Sequence, residues 1–300
     1  MKKLLRSKVF ISLAVITCIA ISLAVINSHV VYIFRPITQK AYNRHLANSA
    51  RDENWEMKME RIYQNPVLTQ ASKHDFSYEF TYVPFYDELK AKYPLDKMAG
   101  TGNVFTRALN LMEWFCANTK YNGQTFHHPF KEKNQYMNLM DYAFRNDFLH
   151  AVNCASMAIA FSDCLVAIGI YAMPVWMLNE EECHVTVHVY LPEEQRWIML
   201  DPSFDSYITD ETGKALNLAE IRSRLVQDEA LRLGRYSFNG GQFFKENYMT
   251  FFVYPALFEF QIWMGNSEEQ REQYAMIFPD GIGTALSEEQ FLAKPAGFTG

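Results

Sequence analysis

Cysteine is sparse in this sequence, five among 300 residues, and no two stand as a CxxC pair. So few, so irregularly spaced, they make neither a disulfide framework for a domain of this size nor a structural zinc site. Glycine (13) and proline (11) are too scarce for a collagen-like or low-complexity chain. There is no internal repeat and no Gly/Ser linker, and no Dx[DN]x[DN]G loop suggests calcium control. Positive charge is also outnumbered in the body of the chain. Lys2, Lys3, Arg6 and Lys8 all fall in the first eight residues, and without them 24 basic residues (28 − 4) face 34 acidic ones. No Lys/Arg stripe with interleaved aromatics occurs, so nucleic acid is not expected as a partner. No cofactor is expected either.

What the sequence does have is 49% apolar residues, enough for a full core, and a long apolar run near its start. Val9 to Ile26 (VFISLAVITCIAISLAVI) carries no charge, and the uncharged stretch continues to Phe34. A helix rising about 1.5 Å per residue crosses the bilayer core with roughly 20 apolar residues. The run exceeds the roughly 7 to 15 residues of a cleavable signal, and Asn27-Ser28-His29 leads straight into Val30, Val31 and Tyr32. Residues 1–8 therefore read as a basic cytoplasmic N-terminus and 9–34 as an uncleaved transmembrane signal anchor. The remainder is expected outside the cell membrane. Cys18 follows Thr17, a poor residue before a lipidated cysteine, and reads as a packing or lipid-facing thiol.

Residues 35–69 are polar, rich in helix formers and interrupted by Pro66, as in a helical stalk. One domain is expected over 70–300. Within it, Phe76 to Phe85 (FSYEFTYVPF) alternates like a strand. Asn103 should cap a helix carrying Val104, Ala108, Leu111, Met112, Phe115 and Cys116 on one face. Asn217 to Gln227 reads as helix, and Phe243 to Met264 as an aromatic, strand-like core segment interrupted by Pro255.

The stretch Asn153 to Ser203 carries the chemistry. Cys154, Met157, Ala158, Phe161, Leu165 and Ile168 recur at helical spacing, with Asn153 as N-cap and Gly169 as the stop. A thiol opening a helix feels the positive end of the dipole, which favours thiolate. In CHVTVHVY (183–190), Val185, Val187 and Val189 point to one face of a strand, while His184, Thr186, His188 and Tyr190 form a polar face. A turn over Pro192 to Gln195 returns the chain as RWIMLD (196–201). If Leu191 pairs with Arg196, Val189 faces Ile198, Val187 faces Leu200, and Asp201 lies diagonal to both His184 and His188. Hairpin geometry makes a His/Asp pair but does not choose the histidine. The two histidines stand about 13 Å apart at roughly 3.3 Å per residue, too far to share a metal.

These pieces resemble the transglutaminase-like superfamily: a Cys opening a helix that ends in Gly-Ile-x-Ala (Cys154; Gly169-Ile170-Tyr171-Ala172), then His-x5-Tyr (His184, Tyr190), then Trp-x3-Asp-Pro (Trp197, Asp201-Pro202). The resemblance implies an α+β fold with a papain-like core, its Cys-bearing helix packed on an antiparallel sheet. It maps the nucleophile onto Cys154, the base onto His184 rather than His188, and the orienting acid onto Asp201. Two departures stand out: Asn153 replaces a Gly common before the Cys, and Thr186 an aromatic common after the His. The oxyanion side chain does not transfer; Trp114, Gln124 and Gln135 lie in its general region. Cys116, Cys164 and Cys183 read as core thiols, His188 as a groove or satisfied polar residue, and His127 and His128 as loop residues before Pro129.

Such a triad carries amide acyl transfer through a thioester, to water or to an amine. The expected function is a membrane-anchored cysteine enzyme acting on peptides or proteins near the membrane surface. Hydrolysis or deamidation is favoured, because the roughly 230 residues after the stalk leave no room for the extra β-domains of calcium-dependent cross-linking relatives. The alternative is a catalytically silent module of the same fold that binds a peptide or protein.

Overall fold

The helix that opens at Cys154 is apolar on nearly every side, and a helix of that kind must be surrounded. In the computed structural model it spans Cys154–Ala167 and is buried from Ser156 through Ala158 and from Ala160 through Ala167. The described residues are 78–123, 135–145, 150–178, 183–227, 229–235, 259–263, 265, 274–277 and 288–294, all within the unit 47–300. Residues 1–77, which hold the expected anchor and stalk, lie outside them. Among the described residues no helix is long and apolar enough to cross a membrane.

In chain order the helices are α1 (Pro84–Lys92), α2 (Leu95–Ala99), α3 (Val104–Ala117), α4 (Gln135–Ala143), α5 (Cys154–Ala167), α6 (Leu218–Val226) and α7 (Glu288–Leu292). The strands are β1 (Ala172–Leu178), β2 (Cys183–Leu191), β3 (Arg196–Leu200), β4 (Tyr207–Thr209), β5 (Arg232–Arg235), β6 (Glu259–Trp263) and β7 (Tyr274–Ile277). Five of them form one antiparallel sheet in the order β3-β2-β1-β6-β7, and β4 pairs with β5 separately. The architecture is α+β.

Local chemistry sets the ends of α5. Asn153 caps its start, and Gly169, at φ 78°, ends it: Gly169 N–H donates to Val166 C=O and Ile170 N–H to Leu165 C=O, both at 2.9 Å. This is the left-handed closure that glycine makes without strain. The β2–β3 hairpin has the register expected from its short turn, Leu191 with Arg196, Val189 with Ile198 and Val187 with Leu200. Val185, Val187, Val189, Ile198 and Leu200 then pack with Met157, Ala158, Phe161 and Leu165 of α5, in a core that α1, α3 and α4 also share.

Three expectations need correction. The alternating stretch 76–85 is not one strand: an isolated bridge joins Glu79 to Gly265, and α1 begins at Pro84. Proline pre-sets a helical φ at a first turn, which overrides the period-2 pattern around it. The "polar" face of β2 is not solvated. Thr186 and Tyr190 are buried with both histidines, under a second core built from Trp197, Phe204, Ile208, Leu218, Ile221 and Phe291 among others. That cover comes from α6, α7 and the β3–β4 turn, which no local period reveals. Cys183, read as a core thiol, is exposed at the start of β2. Of the segment 243–264, the part described is β6, whose Phe260 and Ile262 are buried core residues.

Candidate functional site

Asn153 is extended (φ −80°, ψ 176°), and its side-chain oxygen accepts the Ser156 N–H at 2.9 Å. The first rung of α5 is Met157 N–H to Asn153 C=O, also 2.9 Å. The Cys154 and Ala155 amides precede both bonds, at the positive end of the helix dipole, where an anion is favoured. The chain entering this cap is held by the segment that follows α3: Val152 N–H donates to Lys120 C=O and Asn122 N–H donates to Val152 C=O, each at 2.8 Å. Cys154 is partly accessible, whereas Cys116 and Cys164 are buried, and burial pushes both of those thiols well above their usual pKa.

Asp201 follows the end of β3, in a turn closed by Asp201 N–H to Ser206 C=O (2.8 Å) and Ser206 N–H to Asp201 C=O (3.1 Å). Its Oδ1 accepts the Ser203 N–H at 2.9 Å, which fixes the carboxylate and aims Oδ2 at His184 Nε2, 2.7 Å away. Both groups are buried, His184 at 1% exposure and Asp201 at 0%. An N–H donor and a carboxylate this close, out of water, make a strong charge-assisted bond. Burial pushes the His184 pKa down, but the charge and hydrogen bond of Asp201, with a further contribution from the nearby Cys154, raise it to about 10. Phe204 lies against the imidazole with ring centres 5.7 Å apart, and Tyr121 lies against Phe204 at 5.2 Å.

His188 has a different environment on the same strand. Its Nε2 accepts the Leu218 N–H at 3.3 Å, the first amide of α6, and its ring packs on Trp197 and Phe291. Burial, with no carboxylate bonded to it, pushes its pKa down to about 3. It is a neutral acceptor that satisfies a helix N-terminus.

Of the other residues singled out, Trp114 is half-buried and packs on Phe144 with ring centres 5.0 Å apart. Gln124, His127 and His128 lie outside the described residues, as does the side chain of Gln135. Cys183 adjoins the site; although its surface is open to solvent, partial desolvation at the start of β2 and then the charge of Cys154 raise its pKa. Among the described residues no group of three or more His, Cys, Asp or Glu is placed to hold a metal. The sequence reading missed the supports: Phe204, Asp205, Arg235, and Cys116 in a role beyond filling space. Asp201-Pro202-Ser203, a turn-forming triplet, carried a local signal only for the turn in which Phe204 and Asp205 stand.

No family model matches the chain, and no curated protein matches it. Among solved structures, a chain described as "Crystal structure of a TGase" is similar over 55% of this chain and 37% of that one, at 15% identity and a TM-score of 0.23. This chain thus aligns with little more than a third of that structure. The reading of the site rests on its own geometry.

Proposed function

We propose that this protein is a membrane-anchored, transglutaminase-like cysteine enzyme that transfers the acyl group of an amide to water or to an amine, with Cys154 as nucleophile, His184 as base and Asp201 as the acid that orients it. The observation that carries this reading is the 2.7 Å bond between His184 Nε2 and a buried Asp201, on an imidazole whose pKa is also raised by Cys154, the first residue of a capped helix.

Each step follows from those groups. The Cys154 thiol gives its proton to His184 Nδ1, and Asp201 stabilises the resulting imidazolium while holding the ring in one orientation. The thiolate attacks the amide carbonyl carbon, and the developing oxyanion is met by the Cys154 and Ala155 N–H groups at the helix end. Collapse expels ammonia or an amine, which takes the proton from His184 and leaves an acyl thioester. Water, deprotonated by His184, then releases an acid and restores the thiol; an attacking amine forms a new amide instead.

The substrate is a peptide or protein near the outer membrane surface, where the run 9–34 would hold residues 70–300 on their stalk. Hydrolysis is favoured over cross-linking. Partial access to Cys154 favours an enzyme over a silent binding module, in which the thiol would be sealed.

The test is mass spectrometry of a peptide library incubated with the full chain in detergent, beside Cys154→Ala. Cleavage or Gln-to-Glu conversion lost in the variant supports hydrolysis, and amine incorporation supports transamidation. No Cys154-dependent product would favour the binding module.

A further inference from the structure

The Asp201 carboxylate sits at 0% exposure on a turn, and a turn holds a charge in place only if something holds the turn. The side chains that do so come from two distant parts of the chain. On α3, the buried Cys116 thiol donates to Pro202 C=O at 3.0 Å and accepts the Asp205 N–H, gripping the turn on both sides of its apex. From β5, Arg235 spans the gap between turn and helix. Its guanidinium pairs with the Asp205 carboxylate, donates to Leu109 C=O at 2.9 Å and reaches Glu113 at 3.4 Å. Leu109, Glu113 and Cys116 lie at i, i+4 and i+7 on one stripe of α3. Asp205 is itself 4% exposed and takes a left-handed φ of 48°, an uncommon conformation for a non-glycine residue that its surroundings must enforce.

The same helix also runs into the segment that pins the chain before Cys154, through Lys120 and Asn122 to Val152. The C-terminal half of α3 is therefore a common mount for the two parts of the site: the entry to the nucleophile on one side and the turn carrying Asp201 on the other. Cys116 supplies the short bonds to the turn. Arg235 supplies the charge that Asp205 needs in order to stay buried there.

We propose that Arg235 is a positioning residue: through Asp205 it clamps the 201–206 turn to α3 and so holds Asp201 in bonding distance of His184. This inference rests on the reading of Cys154, His184 and Asp201 as one reacting unit. It predicts a specific chemical consequence. If the clamp opens, Asp201 drifts from the imidazole, its charge and hydrogen bond weaken, and burial regains its downward pull on His184.

The test is alkylation of Cys154 by iodoacetamide in the full chain in detergent, followed by peptide mass spectrometry from about pH 5 to about 11, for the wild type, Arg235→Met and Arg235→Lys. The wild type should show an upper bend near pH 10, where His184 loses its proton. Arg235→Met should move that bend down by about one pH unit or more, and Arg235→Lys, which keeps the charge beside Asp205, should leave it near the wild-type position. A folded Arg235→Met protein with a lowered melting temperature but an unmoved bend would overturn the proposal, since that is the signature of a purely structural role. If Arg235→Met does not fold, the Asp205→Asn/Arg235→Met double variant, which leaves no uncompensated carboxylate, is read by the same criterion. A wild-type profile with a single ordinary thiol step and no upper bend would instead overturn the underlying reading of the site, and the clamp with it.

Discussion

Replacing Asp201 by asparagine tests the site through its electrostatics, because the structure contains its own comparison. His184 and His188 lie on one strand and are equally sealed, yet one is raised to about 10 and the other lowered to about 3. Burial acts on both; Asp201 and Cys154 act on the first alone. The Asp201→Asn substitution keeps the side-chain shape but removes the charge, so the His184 pKa should fall well below its wild-type value of about 10, with burial then pulling it in the direction seen at His188. The elevation of the wild-type pKa above the ordinary 6.5 corresponds, at about 1.36 kcal/mol per pH unit, to about 5 kcal/mol of stability at low pH. Breaking a buried ion pair by removing one partner costs about 3–5 kcal/mol, in the same range. A pKa raised above its unfolded value gives stability that is fully present below about pH 6.5 and lost as pH rises through about 10. The unfolding free energies of wild type and Asp201→Asn, from urea titrations in detergent, should therefore differ by several kcal/mol near pH 6 and converge toward pH 10. A difference that stays constant over this interval would refute the reasoning.

The two histidines can be separated by thiol labelling near neutral pH. His184→Ala should abolish rapid alkylation of Cys154, while His188→Ala should retain it and lose about 1–3 kcal/mol of stability, because the buried Leu218 N–H loses its acceptor. Asn153→Ala removes the cap of α5 and should cost about 1 kcal/mol in chemical denaturation; an unchanged midpoint would mean that the Ser156 amide finds another partner. Deleting residues 9–34 should move the protein from the membrane pellet to the soluble fraction after cell lysis, and continued pelleting would count against the anchor.

Much of the site's framework is local and so legible in the sequence. Asn153, the apolar spacing after it and Gly169 suffice to define α5, because caps and period act within a few residues. The short turn after Leu191 fixes the hairpin register, and with it the face on which His184, His188 and Asp201 all stand. Hairpin geometry left open which histidine meets the carboxylate; the resemblance pointed to His184, and tertiary structure supplies the physical reason. Asp201 is diagonal to both in the hairpin, and the choice falls to His184 for two reasons: the 201–206 turn, tied to α3 by Cys116 and Arg235, carries Asp201 toward it, and α6 presents the Leu218 amide to His188. The burial of both rings likewise comes from α6, α7 and Phe204, elements 20 to 107 positions away from His184. Patterns of period 2 and 3.6 report which face a side chain takes. They carry no information on what distant segment will cover that face, and it is the cover that pushes the His188 pKa down to about 3, while the Asp201 carboxylate brought to His184 overrides the same burial and raises that pKa to about 10.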